Sequence, residues 1–459
     1  MPGPASLTPM SRVTKMKITM NKLFLLSPAL LVTAGLGVPA QAQSLAELYE
    51  SARSYDAAYQ SAQAQYDANK YKAEQARAGL LPTVNLSANA SQSQRNLSSG
   101  APQDISYGTQ NATVSASQPL YRPANQATFD QGQRQLEQSQ AQLQASEQDL
   151  IVRVSQAYFD VLAAQDNLAF VQAQKTAVSE QLASAKRNFE VGTATITDTR
   201  EAQARYDLVL AQEIAAENDL RVKKLALDQL VGKTSTTPKP LQTASLPQPM
   251  PQDLNTWVKQ AEQDHPSVRQ NRIALDVAKL ETAKAQAGHK PTLDLTASLF
   301  TNRNLAGSDI ASVDSTLTRT TVGLSFNLPL FAGYATQNRI KETLLLEDKA
   351  RADLDNSQRT VAQATRAAYF GVISGLGQVK ALQAAEASSQ SALDANKLGY
   401  QVGVRINIDV LNSQSQLFQT KRDLAKARYD VLVGGLKLRQ ANGSLKPDDL
   451  QAVNALLAK

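Results

Sequence analysis

Cysteine is absent from the 459 residues, and histidine occurs only at positions 265 and 289. The first absence excludes disulfides, thiolate metal sites, cysteine nucleophiles and a lipid-modified N-terminal cysteine. The second leaves almost nothing for a histidine-based catalytic or metal centre. One tryptophan and 5% aromatic residues are little for a compact core, whereas abundant Ala and Gln suit long helices. No Ser/His/Asp set and no HExxH helix is present. Gly232-Lys233-Thr234 resembles the end of a phosphate-binding loop, but Leu227 stands where a glycine is required. A glycine-capped helix end is the simpler reading. An enzyme is disfavoured, and neither a cofactor nor a structural metal is expected.

Net charge points away from nucleic acid as well. Residues 1–42 carry Arg12, Lys15, Lys17 and Lys22 with no acid, so removing them lowers the formal charge from +6 by four, to +2. They read as a secretory signal: basic start, apolar run Leu23–Val38, then Ala40-Gln41-Ala42 before Gln43. Met16 or Met20 would serve equally as the start. Pro28 and Gly35 interrupt the run, which falls short of the ~20 residues a spanning helix needs. The chain is expected to leave the cytoplasm.

Beyond residue 43 no apolar window of 18 residues exists. Four segments instead alternate apolar and polar residues. Val84, Leu86, Ala88 and Ala90 alternate with Asn85, Ser87 and Asn89; Ala112, Val114 and Ala116 with Thr113 and Ser115. Leu293, Leu295, Ala297 and Leu299 alternate with Asp294, Thr296 and Ser298; Val322, Leu324, Phe326 and Leu328 with Gly323, Ser325 and Asn327. Period two over about ten residues marks half-buried strands, including those of membrane barrels. Polar loops around Asn96–Ser106 and Asn302–Thr316 join them into hairpins at about 82–120 and 291–331.

The remainder reads as helix. Gly and Pro are nearly absent from Ala124 to Val191, enough chain for about 100 Å of helix, and Ala335–Tyr400 is similar. Val410, Leu417, Leu424, Val431 and Leu438 recur every seven residues, the spacing of supercoiled packing.

An internal repeat organises these elements. Ala78-Gly79-Leu80-Leu81-Pro82-Thr83 returns as Ala287-Gly288-His289-Lys290-Pro291-Thr292, and Pro119-Leu120-Tyr121 as Pro329-Leu330-Phe331. Ala157-Tyr158-Phe159 returns as Ala368-Tyr369-Phe370; Val191-Gly192 with Asp198 returns as Val402-Gly403 with Asp409. The offset stays at 209–211 throughout. After the signal, residues 43–245 form one repeat and 246–459 the second, joined by the proline-rich stretch 238–251. Each repeat reads helix, hairpin, very long helix, turn at glycine 192 or 403, helix. Backbone groups in lipid must be paired, so strands must close without an edge. Two hairpins give four strands, and membrane barrels need about eight or more. Several copies must therefore combine, and two, three or four all suffice.

The turn segments Asn188-Phe189-Glu190-Val191-Gly192-Thr193 and Leu398-Gly399-Tyr400-Gln401-Val402-Gly403, with Ile196-Thr197-Asp198 and Ile408-Asp409-Val410-Leu411 after them, resemble those of TolC-type outer-membrane efflux proteins. The resemblance covers essentially the whole mature chain. It implies an α+β membrane protein: a homotrimer whose twelve-stranded outer-membrane barrel continues into a periplasmic α-helical coiled-coil barrel. Linker and C-terminal segments would form an equatorial belt. The implied function is an exit duct for drugs or secreted proteins, partnered by a periplasmic adaptor and an inner-membrane pump of RND, ABC or MFS type, with no nucleic acid. A trimeric coiled-coil adhesin or a periplasmic scaffold or enzyme explains fewer of the features.

The resemblance also assigns residues. Arg187, Thr197, Asp198, Tyr400 and Arg405 would form a periplasmic gate, with Tyr400 bonded to Asp198 and Arg405 to Thr197 and an acidic neighbour. Asp409 would supply a luminal carboxylate ring able to bind a blocking cation. Asn412 stands where the family often has a second aspartate, and Arg187 where a glutamine is found. Gly192, Thr193, Gly403 and Val404 would receive the adaptor.

Overall fold

The computed structural model describes residues 42–97, 103–242, 246–305 and 313–458. The signal expected over 1–42 lies, but for Ala42, outside them, as do the hairpin tips. Residues from Ala42 onward form one unit, so the two repeats are not separate bodies.

Each repeat opens with a broken helix. In the first, α1 (Leu45–Tyr55) and α2 (Ala57–Arg77) part at Asp56; in the second, α5 (Leu254–Asp264) and α6 (Pro266–Gln286) part at His265. Asp56 caps α2 by accepting from the Tyr59 amide at 2.8 Å, and its carboxylate takes two hydrogen bonds from Arg153 at 2.9 and 3.0 Å. The Arg153 guanidinium holds that carboxyl below its usual range. His265 uses Nδ1 in the same way, accepting from the Ser267 amide at 3.1 Å, with Pro266 opening the helix. A bonded Nδ1 acceptor requires a neutral ring, and burial favours that form.

After these helices come β1 (Thr83–Leu97) and β2 (Gln103–Tyr121), then in the second repeat β3 (Thr292–Leu305) and β4 (Ser315–Asn327). They form one antiparallel sheet in the order β1-β2-β3-β4. The strands run further than the roughly ten residues of apolar alternation, because backbone pairing continues where both faces turn polar. Loops expected around Asn96–Ser106 and Asn302–Thr316 are correspondingly shorter. The register places Val84 opposite Ala116, Val114 opposite Leu299 and Leu295 opposite Leu324. One face therefore carries Val84, Leu86, Val114, Leu295, Val322 and Leu324, all exposed, and the other carries Ser115, Thr296, Ser298 and Thr321. Exposed apolar side chains along the helix-proximal part of that face are what a lipid contact requires; toward the hairpin tips the same face carries Gln110, Arg303 and Thr318. Lys in place of Leu86 or Val322 is expected to cost up to about 2–4 kcal/mol near the midplane, whereas Lys at Ser115 or Thr321 is tolerated. The yield of heat-resistant oligomer in membranes checks this; equal losses on both faces would refute it.

Two long helices leave the sheet: α3 (Pro123–Glu190) with 68 residues and α7 (Ala335–Gln401) with 67, each about 100 Å long. Each returns as a shorter partner, α4 (Ile196–Val231) or α8 (Asn407–Ala441). Near the sheet α3 and α7 pack with α2 and α6; beyond mid-length they pack with α4 and α8, with α8 also against α3. The five heptad residues of α8, Val410 to Leu438, are all buried. Among the described residues no helix is long and apolar enough to cross a membrane.

The widest core lies at mid-length, where α1, α3, α4, α8 and the terminal α9 (Asp449–Asn454) meet around Leu48, Leu150, Tyr158, Leu227, Leu436 and Leu450. The linker is pinned there: Gln43 bridges Pro238, and Leu241 bridges Leu457. The repeated tyrosines do the same work twice. Tyr158 donates to the Lys239 carbonyl at 3.0 Å, and Tyr369 to that of Gln252. Gly232, at φ +67°, ends α4 against the Tyr55 ring, and Gly443, at φ +79°, follows α8 against the His265 backbone. Neither has room for a Cβ, so the expected glycine cap at 232 is a close approach as well.

Candidate functional site at the paired helical turns

Both long helices end in the same backbone geometry. Gly192 and Gly403 adopt φ +78° and +80°, conformations open to glycine without strain. Thr193 N–H donates to the Asn188 carbonyl at 2.8 Å, and Val404 N–H to the Gly399 carbonyl at 2.9 Å. These bonds close each helix by a left-handed glycine cap. Nothing lies within 4 Å of where a Cβ would sit on either glycine. Around them Val191, Ile196, Val402, Val404 and Ile406 are exposed, five apolar side chains at one end of a water-facing coil.

The helices that follow start differently, and one residue accounts for it. Thr195 caps α4 in a reciprocal box: Asp198 N–H donates to its hydroxyl at 3.2 Å, and Thr195 donates by amide and hydroxyl to the Asp198 carboxylate at 3.0 and 2.7 Å. The same position before α8 is Ile406, which has no hydroxyl and makes no side-chain cap. Asp409, the repeat counterpart of Asp198, is thereby released and pairs with Arg405 at 3.7 Å. Gly399 makes room for this, since a Cβ there would lie 2.6 Å from Arg405 Cγ.

The structure brings the two turns together, as the equal helix lengths require. Asn188 Nδ2 donates to the Tyr400 hydroxyl at 3.2 Å, and Asn407 Nδ2 to the Asp198 carbonyl at 3.3 Å. Gln181 donates to Asn407 Oδ1, and Arg205 to Asn412 Oδ1 at 2.9 Å. All four bonds cross from the α3–α4 coil to the α7–α8 coil. Leu411 is fully buried among Val178, Leu182, Ala202 and Val209 of the first coil, so α8 is also held there by an apolar knob.

Within the chain the pairing differs from that implied by the resemblance. Tyr400 meets Asn188 rather than Asp198, whose carboxylate serves the Thr195 cap. Arg405 meets an acidic neighbour, Asp409, at 3.7 Å but not Thr197, which is exposed and forms no side-chain bond among the described residues, and Arg187 is likewise exposed and unpaired there. The resemblance assigns no contact to Gln181, Asn188, Arg205, Asn407 or Leu411, although Asn188 and Leu411 stand in its turn motifs. A signal was present: Asn407 and Gln414 are buried polar residues on the stripe that carries Leu411, and polar residues on an apolar stripe mark contacts that need a specific partner. Among the described residues no cluster of three or more metal-ligating side chains occurs.

The outer membrane efflux protein family model matches residues 48–233 and 257–444. Outer membrane protein TolC of Vibrio cholerae is 34% identical over 430 residues, covering 93% of this chain and 97% of that one. Alkaline protease secretion protein AprF of Pseudomonas aeruginosa is 30% identical over 428 residues, covering 90% and 87%. Among solved structures, the outer membrane protein VceC of Vibrio cholerae superposes with a TM-score of 0.75 at 19% identity, over 87% of this chain and 96% of that one.

Proposed function

This chain belongs to the outer membrane efflux protein family, and we propose that three copies of it close one channel through which drugs or proteins pass from an inner-membrane pump to the cell exterior. As an outer-membrane exit duct it conducts its cargo and does no chemistry on it. The observation that carries this reading is a four-stranded sheet with two open edges and one apolar face, joined in the same chain to helices about 100 Å long. Three copies give twelve strands, within the range that closes in lipid. The helices then reach across the periplasm toward a pump. Cell fractionation with chemical crosslinking tests this: a covalent trimer in the outer-membrane fraction is expected, and a soluble periplasmic protein would overturn it.

Within that duct the paired turns serve two tasks. Gly192, Thr193, Gly403 and Val404, with the exposed apolar residues beside them, receive the helical tip of a periplasmic adaptor, for which a glycine backbone and apolar rim fit closely. Asn188–Tyr400, Asn407–Asp198, Gln181–Asn407 and Arg205–Asn412 hold the coils in the resting, constricted state. Each such bond contributes about 0.5–1.5 kcal/mol, so a partner can undo them. Asp409 carries the constriction's negative charge, partly offset by Arg405, and three copies would attract a divalent cation.

A further inference from the structure

The plan of the chain repeats, but the packing at mid-length does not repeat evenly. Leu48, Val161 and Leu227 of the first repeat are fully buried in the widest core. Their counterparts Trp257, Val372 and Leu438 make a smaller cluster of their own, and beside it the packing opens. A cavity of about 310 Å³ lies between α5, α7, α8 and α9, floored by Trp257, Val372 and Leu438, walled by Leu436 and Val453, and roofed by residues 247–250 of the linker. One residue keeps it open. Gly435 lines the cavity where the first repeat has Lys224, and a Cβ at 435 would meet nothing within 4 Å. Well-packed interiors leave few spaces of this size, which stands at the small end of the ~300–1,000 Å³ of ligand pockets.

The polar side chains at the cavity are few, and most are already engaged. Trp257 Nε1 donates to the Pro251 carbonyl at 2.7 Å, so the indole has no donor to spare. Both oxygens of the Asp449 carboxylate accept hydrogen bonds, Oδ1 from Arg439 at 2.6 Å and Oδ2 from the Lys446 amide at 2.9 Å. Arg439 makes no other side-chain hydrogen bond among the described residues, which leaves most of its guanidinium donors free. Gln248, in the roof, uses its Oε1 on Gln252 and keeps its own amide donors. What remains is an apolar chamber whose unengaged side-chain groups are chiefly donors, one of them cationic. A ligand head with negative charge gains charge-assisted bonds there, and Asp449 keeps its bond from the Lys446 amide. We propose that this cavity binds a small amphipathic anion, a carboxylate or sulfonate on a body of one or two rings, with the rings against Trp257 and the head on Arg439. The site lies at mid-length, away from the paired turns, and goes beyond the duct reading rather than resting on it.

Trp257 is the chain's only tryptophan, so its emission reports on this cavity and nowhere else. Bromine quenches indole emission on contact. The probe 4-(4-bromophenyl)butyrate has the required shape, and its primary amide has the same body without the charge. Val372, which packs with Trp257, lies about 55 Å along α7 from the sheet, so probe dissolved in detergent around the sheet cannot touch the indole. With the full-length oligomer in detergent, quenching by the carboxylate is expected to saturate, and the amide to need at least tenfold more for the same effect. Arg439→Gln, which can still bond Asp449, should erase that difference by weakening the carboxylate only, whereas a purely structural role for Arg439 would weaken both. Gly435→Leu places a side chain in the cavity and should reduce quenching to a shallow linear slope while the oligomer stays heat-resistant. If that variant fails to assemble, Ala452→Leu fills the same space from α9. Wild-type quenching no steeper than that of the filled variant overturns the site, and equal affinity for acid and amide overturns the anion. Saturation that appears only after the oligomer is dissociated also overturns the site, because a neighbouring copy then occupies the cavity.

Discussion

Gly403→Trp should abolish drug efflux while leaving a heat-resistant oligomer in the outer membrane. The backbone at 403 is left-handed and the space beside it empty, so an indole there projects into the surface that the adaptor would occupy. A positive φ also strains any side chain, by about 1–3 kcal/mol, and the turn itself could shift. Gly403→Asn separates the two causes. Asparagine tolerates the left-handed region better than most residues and is small, so it should retain most efflux. Gly192→Trp should act in the same direction at the first turn. Loss of drug resistance in Trp variants, against near-normal resistance in Asn variants, identifies steric exclusion of a partner. Full resistance in Gly403→Trp would show that the tip is not the docking surface.

The second large effect concerns the proposed constriction. Tyr400→Phe removes the acceptor for Asn188, and Asn407→Ala removes two bonds, one of them to the backbone carbonyl of Asp198. Together these losses amount to about 2–5 kcal/mol, because a partly buried partner left unpaired adds to the lost bond. Since 1.4 kcal/mol is tenfold in population, the double variant should raise conductance in planar bilayers and admit large antibiotics. The charge at Asp409 is read separately. Asp409→Ala should abolish block by divalent cations. Ile406→Thr should weaken it without removing the carboxylate, by drawing Asp409 into the kind of cap that Thr195 makes with Asp198. Asn412→Asp, which sequence alone would make a simple gain of charge, should tighten the block only modestly, because Arg205 already reaches that side chain and would pair with the new carboxylate. An unchanged block in Asp409→Ala would mean that other residues line the constriction.

The contacts between the paired turns are the part of the proposed gate that the sequence alone does not specify. The positions of both turns were legible, because Val-Gly followed by an aspartate recurs at the repeat offset and the helix lengths match. Which side chains meet across the coils was not. Tyr400 finds Asn188 because of how α3 and α7 rotate relative to each other, and no periodicity records that rotation. The fate of Asp198 turns on whether Thr or Ile stands three residues before it or its repeat counterpart. That difference is printed in the sequence but becomes a free or engaged carboxylate only once the cap geometry is in place.

The sequence by itself determined everything that depends on period and sign. Alternation of two set the strands and their lipid face, sevens set the buried stripe of α8, and an offset held near 210 set the twofold plan. These are local properties of a chain, written in the order of apolar and polar residues. Tertiary structure alone decided the rest: the break at Asp56 held by Arg153, the linker pinned by Tyr158 and Tyr369, the Leu411 knob, and β4 stopping at Asn327. Each of those depends on residues tens or hundreds of positions apart meeting at hydrogen-bond or van der Waals distance, and only the packed chain fixes which of them meet.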